Sequence, residues 1–195
     1  LWKHYEQVPP LMMDFDPQEQ VENLGILWQT TVLALQKVSC HGLLVHSTVT
    51  KTNDTYCPLH VVQLAARLYR QQLLQKDKDG NTPLSLAIQN SCSADIVNAL
   101  LWENPRAASV RDGNGRVPLV LAIDKGVYSY HDVLAHVFAA EPAAVTARDP
   151  ITALFPFCIA ALNMKPTQSD CCDDKEQVST IYQLLRIDPS VLLQP

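Results

Sequence analysis

The chain writes one pattern twice. Residues 77–88, DKDGNTPLSLAI, and residues 112–123, DGNGRVPLVLAI, both read D-x-x-G-x-x-P-L-x-x-A-I. The marker prolines, Pro83 and Pro118, stand 35 residues apart. A repeat near this length restricts the fold more than any bulk property, because roughly 33 to 35 residues is the unit length of stacked helix-turn-helix arrays. Asp79-Gly80 and Asn114-Gly115 are turn signals, since glycine accepts positive φ at no steric cost. Thr82 fits an N-cap and Pro83 the first helical position, where a missing N–H costs nothing. Leu84, Ala87 and Ile88 then mark one face of a short helix. Leu119, Ala122 and Ile123 do the same in the second copy, where Val117 replaces the capping threonine.

Each short helix is followed by a second apolar stretch. SADIVNALLWENP carries Ile96, Val97, Leu100 and Leu101 on one face and ends at Asn104-Pro105. YHDVLAHVFAAEP carries Val133, Leu134, Val137 and Phe138 and ends at Glu141-Pro142. STIYQLLRIDPSVL carries Ile181, Leu184 and Leu185 and ends at Asp188-Pro189. A residue before proline avoids the α region, so these helices stop there. Aligning Gly80 with Gly115 puts Val61 and Val62 on Ile96 and Val97, and Arg70 on Pro105. PLHVVQLAARLYRQQL is therefore a second helix, and its first helix is expected in CHGLLVHST, residues 40–48. In the last copy, ARDPITALFPFCIAAL, Arg148-Asp149 matches Arg111-Asp112 and Pro156 matches Pro118, with one extra residue between and no turn glycine. Leu84, Leu119 and Phe157 are expected to be buried at equivalent sites. The polar, aperiodic segment 163–177 reads as an inserted loop. Ahead of the copies, DFDPQEQVENLGILWQTTVLALQKV reads as one longer helix with Asp16 as N-cap, Pro17 at N1 and Glu19 at N3. Its stripe, from Val21 to Val38, suits a cap over the first repeat. The predicted organisation is an N-terminal extended segment and capping helix over 1–39, then a repeat domain over 40–195.

Together KDKDGNTPLSLAI, NPRAASVRDGNGRVPLVLAI, EPAAVTARDPITALFPFCIAAL and TIYQLLRIDPSVL resemble ankyrin repeats, of the divergent kind common in microalgae. The resemblance covers roughly residues 40–192. It implies an all-α, ankyrin-like solenoid of about four helix-turn-helix units, with a concave face made by first helices and loop tips. The family's Thr-Pro-Leu-His becomes Thr82-Pro83-Leu84-Ser85, Val117-Pro118-Leu119-Val120 and Phe155-Pro156-Phe157-Cys158. The histidine that ties neighbouring loops is missing from each, so loose inter-repeat loops are expected.

Chemistry-bearing residues are sparse. His41 and His46, like His131 and His136, are five apart. That spacing leaves two side chains about 140° apart on a helix, unlike the pair that grips zinc. The DKDG and RDGNG segments match neither a calcium loop nor a phosphate loop and are explained by turn chemistry. No motif makes a nucleophile of Ser47, Ser85 or Ser129. The six cysteines, at 40, 57, 92, 158, 171 and 172, contain no Cys-x-x-Cys and read as free thiols of a reducing compartment. Cys171-Cys172 beside two aspartates is a possible thiol switch but lacks the further ligands a metal needs.

Fifteen Lys+Arg against 20 Asp+Glu give a net charge of −5, which argues against nucleic acid as the ligand. No apolar run approaches the roughly 18 to 20 residues that span a bilayer. The start, LWKHYEQVPPLMMDFD, lacks the form of an intact signal peptide. On this acidic chain Lys76, Lys78, Arg111, Asn114, Arg116 and Arg148 fall at turn positions of successive copies. They are the expected contacts for a protein partner. The expected function is a non-catalytic protein-interaction or scaffold module without cofactor or metal. The alternatives are a structural subunit of a large organellar complex and a redox-responsive module built on Cys171 and Cys172. Localisation is expected to be cytoplasmic, with a plastid or another organelle as the alternative.

Overall fold

The computed structural model describes residues 43–50, 57–126, 129–163, 173–187 and 189. The chain divides into two compact units, Leu1–Leu44 and Val45–Pro195. The expected N-terminal segment and capping helix, Cys40, His41, Cys171 and Cys172 lie outside the described residues. Among the described residues all regular structure is helical and there is no strand.

The helices are α1 (Leu44–Thr48), α2 (Leu59–Leu68), α3 (Pro83–Gln89), α4 (Ala94–Glu103) and α5 (Pro118–Lys125). They continue with α6 (Ala135–Ala140, entered through a π-helical turn Tyr130–Leu134), α7 (Pro156–Leu162) and α8 (Asp173–Ile187). Helices of seven or eight residues are too short to persist alone, so packing must hold them. Helix α3 packs on α5, and α5 on α7. Helix α2 packs on α4, and α4 on α6. The first helices thus make one row and the second helices another, with α3 against α4 and α7 against α8.

Sequence explains where the first row starts. Helices α3, α5 and α7 each open on a proline, and the residue before it is extended, as the proline ring requires (Thr82 ψ 163°, Val117 ψ 151°, Phe155 ψ 155°). All three preceding side chains are buried. Thr82 also caps its helix, with Oγ1 accepting from the Ser85 amide at 3.3 Å. Helices α2, α4 and α6 are followed by 3-10 turns, Arg70–Leu74, Pro105–Ser109 and Pro142–Val145. Arg70 and Pro105, 35 residues apart, open similar 3-10 turns, and Val61, Val62, Ile96 and Val97 are all buried.

Two expectations change. Leu84 and Leu119 are buried, but Phe157 is only half-buried. Helix α5 is sandwiched between α3 and α7, whereas α7 meets another first helix on one side only among the described residues. The same asymmetry leaves Ala161 exposed where its counterpart Ile123 is buried. The polar segment 163–177 is not loop throughout, because α8 begins at Asp173. Polarity does not exclude a helix, and Lys, Glu and Gln are good helix formers.

After α5 the chain turns at Gly126 with φ 63°, and the equivalent position after α3 is Ser91 with φ 55°. Their amides donate to Ile123 and Ile88, so the two turns share one geometry. A side chain at left-handed φ is strained. Ser91→Gly is expected to stabilise the chain by up to about 1 kcal/mol, and Gly126→Ala to destabilise it by about 1 kcal/mol. Leu119→Ala should cost about 2 to 5 kcal/mol. Urea unfolding of the three variants checks all three values.

Candidate partner-binding edge

Three turn loops precede the three proline-led helices. In each, an aspartate amide donates to the carbonyl of the residue before the N-cap: Asp77 to Asn81, Asp112 to Arg116 and Asp149 to Leu154, all at 2.9 Å. The third loop is one residue longer, where the sequence carries its extra residue. Each aspartate then folds its carboxylate back onto its own loop. Asp77 accepts from the amides of Asp79 and Asn81 at 2.9 and 2.8 Å. Asp112 accepts from those of Asn114 and Arg116 at 2.9 and 2.8 Å. Asp149 accepts from the Thr152 amide at 3.1 Å and its hydroxyl at 2.9 Å. Gly80 and Gly115 both have φ 80°, as their turn positions predicted. In the third loop, which lacks the glycine, Ala153 takes φ 58°.

The loops are tied together, contrary to the looseness expected from the missing tetrapeptide histidine. A Cβ on Gly80 would stand 2.7 Å from Gly113 Cα, and one on Gly113 would overlap the Asp79 carbonyl. Only glycine permits this approach. His46 Nε2 lies 3.1 Å from the Asn81 carbonyl. Asparagines after α3 and α7 locate His46 in the repeat. Asn90 Nδ2 donates to the Val49 carbonyl at 2.9 Å and Asn163 Nδ2 to the Ile123 carbonyl at 3.0 Å. Val49 therefore corresponds to Ile123, and His46 to Val120 and Ser85. A histidine thus does tie one loop, from α1, where the longer connection before α2 obscures its alignment with Ser85 and Val120. The next junction uses Gln89, whose Nε2 donates to Asn81 Oδ1 at 3.2 Å and Asp112 Oδ2 at 3.4 Å. The third uses Arg116, which donates from Nε to Asp149 and from Nη1 to Asp124, both at 2.9 Å.

Burial shapes the charges here. Arg116 is 8% exposed and Asp149 1%. Burial alone would raise the Asp149 pKa, but hydrogen bonds from Thr152 and Arg116 outweigh it and hold the carboxyl below its usual range. Burial would lower Arg116, yet Asp124 and Asp149 hold it above its usual value. His46 is held below its ordinary 6.5 by burial, despite the Asn81 carbonyl and nearby Asp77. A carbonyl only accepts, so Nε2 carries the proton of the neutral ring and Nδ1 is a buried acceptor without a partner.

Of the expected contact residues, Lys76, Lys78, Arg111, Asn114 and Arg148 are exposed on these loops. Arg111 Nη1 donates to the Gly115 carbonyl at 2.8 Å, and the Arg148 guanidinium lies 4.7 Å from the centre of the Phe155 ring. Arg116, expected at the loop tip, is a correction: its two carboxylate partners draw it inward and occupy it. Sequence reasoning missed Asp77, Asp112 and Asp149 as organisers, although the aspartate recurs even where the glycine is lost. Among the described residues no group of three or more His, Cys, Asp or Glu could hold a metal ion, and no helix is long and apolar enough to cross a membrane.

No protein-family model matches the chain. A putative ankyrin repeat protein of fowlpox virus (strain NVSL) is 49% identical over 43 residues, which is 22% of this chain and 10% of that one. The chain thus spans about a tenth of that relative's length. The similar stretch is longer than one repeat period, and the relative is viral rather than algal.

Replacing the buried Arg116 strands Asp149, so Arg116→Ala should cost about 3 to 5 kcal/mol in urea unfolding. The folded chain resists protonating His46, which the unfolded chain accepts below pH 6.5. This contribution is full above that pH and is lost as pH falls through the lower folded value. His46→Gln should flatten that part of the stability-pH curve, checked by thermal melts from pH 7.5 to 5.

Proposed function

We propose that the chain is an ankyrin-like helical repeat array of about four units that holds a protein partner along its turn-loop edge and first helices, without catalysis. The units pair α1 with α2, α3 with α4, α5 with α6 and α7 with α8. The supporting observation is that the residue before each turn aspartate is cationic and exposed: Lys76, Arg111 and Arg148. Each aspartate turns inward to organise its loop, and its predecessor is left in solvent. The stacking of the loops through Gly80 and Gly113, and of Gly115 against Pro150, makes these positions one edge. Lys78 and Asn114 add exposed polar groups at the turn tips. Similarity to an ankyrin repeat protein supports the same reading.

The redox alternative gains nothing from the described thiols. Burial pushes Cys57 up to about 12 and Cys92 up to about 11, so neither is a ready thiolate.

The test is a combined Lys76→Glu, Lys78→Glu, Arg111→Glu, Arg148→Glu variant. Each exposed contact is worth only about 0 to 1 kcal/mol, so single changes are too small to read. The variant should keep its helical circular dichroism and melting transition yet lose the proteins recovered by affinity capture. Recovery by the unaltered chain should weaken with salt. Unchanged recovery by a folded variant would remove the loop edge from the interface.

A further inference from the structure

The second row of helices carries a surface that the loop edge does not use. Trp102 on α4 is 84% exposed, the most exposed of the large apolar side chains described. A tryptophan left in water forgoes a large burial gain, and tryptophan is the residue most enriched among interface anchors. Its counterpart one repeat earlier is Arg67 on α2, so both project from the same position of adjacent second helices.

The ground around it is cationic. Arg67 Nε lies 2.9 Å from Glu103 Oε1 and Arg70 Nε 3.7 Å from Glu103 Oε2. Arg70 Nη2 also donates to the Glu103 carbonyl at 2.6 Å. The Glu103 side chain is 13% exposed, whereas those of Arg67 and Arg70 are 69% and 65% exposed. The acid is covered and its arginines face solvent. The 3-10 turn Arg70–Leu74 packs against Pro105–Ser109, the turn that carries exposed Arg106. Two exposed arginines thus hold the residue next to Trp102 and a third follows four residues after it, on a chain whose net charge is −5.

We propose that Trp102, Arg67, Arg70 and Arg106 form a second docking surface, for an acidic protein segment bearing an apolar side chain. The arginine heads meet carboxylates in paired hydrogen bonds, and the indole face covers the apolar group. Arginine with an aromatic platform also suits single-stranded nucleic acid, but the acidic chain as a whole repels a polyphosphate. The proposal does not depend on the loop edge.

The test uses the full chain with Trp2→Phe and Trp28→Phe, leaving Trp102 as the sole tryptophan, so that its fluorescence reports contact. The probes are a peptide of alternating Glu and Leu, its Lys and Leu counterpart, and an oligothymidylate. The acidic peptide should shift Trp102 emission to the blue, saturably and less so at high salt. Binding of the same peptide, labelled with a dye, should weaken at least about tenfold in Trp102→Ala combined with Arg106→Glu. It should be unchanged in the fourfold loop-edge variant, so failure here is distinct from failure there. No shift with the acidic peptide, an equal shift with the basic one, or a stronger response to the oligothymidylate would overturn the proposal. A shift that grows with protein concentration in the absence of peptide would overturn it too, by assigning the surface to self-association.

Discussion

The described structure hangs on a carboxylate placed at the start of each turn. Asp77, Asp112 and Asp149 each accept from donors of the loop that follows. Where the carboxylate is buried it must be fully served, because an unpaired buried charge costs more than the fold can spare. Asp112 and Asp149 meet that need with a second set of donors from the preceding unit, Gln89 and Arg116. One group therefore shapes its own loop and ties that loop to its neighbour. The helices that follow are too short to persist alone and take their position from this arrangement and from the packing behind it.

The three junctions solve the same problem with different side chains. A neutral histidine, an amide and a guanidinium each bridge one gap, at His46, Gln89 and Arg116. The position matters more than the residue type, since each only has to deliver a donor to the next loop. The junctions then differ in their response to conditions. The His46 junction is sensitive to acid, because a buried ring resists protonation. The Arg116 junction is an ion pair held in low exposure, where salt screens weakly.

Much of the fold was legible because its signals are local. Proline at the first helical position, apolar residues at helical spacing and a constant offset between Pro83 and Pro118 each act within a few residues of where they are written. That locality aligns Val61 and Val62 with Ile96 and Val97. The same locality failed at Phe157, whose burial depends on what lies beyond α7. It failed again at Arg116, which looks like any solvated turn arginine until Asp149, 33 residues away, is brought beside it.

The sequence by itself determined the short helices, where they start and the glycine turns, because proline geometry, left-handed φ and apolar periodicity are properties of short stretches of chain. Tertiary structure alone decided which turn residues face water. A charge at a loop is exposed or buried according to the partners that stacking delivers, and stacking joins residues more than 30 apart. That is why Lys76, Arg111 and Arg148 remain on the surface while Arg116 does not. It is also why His46 joins two units, although spacing alone assigned it no partner.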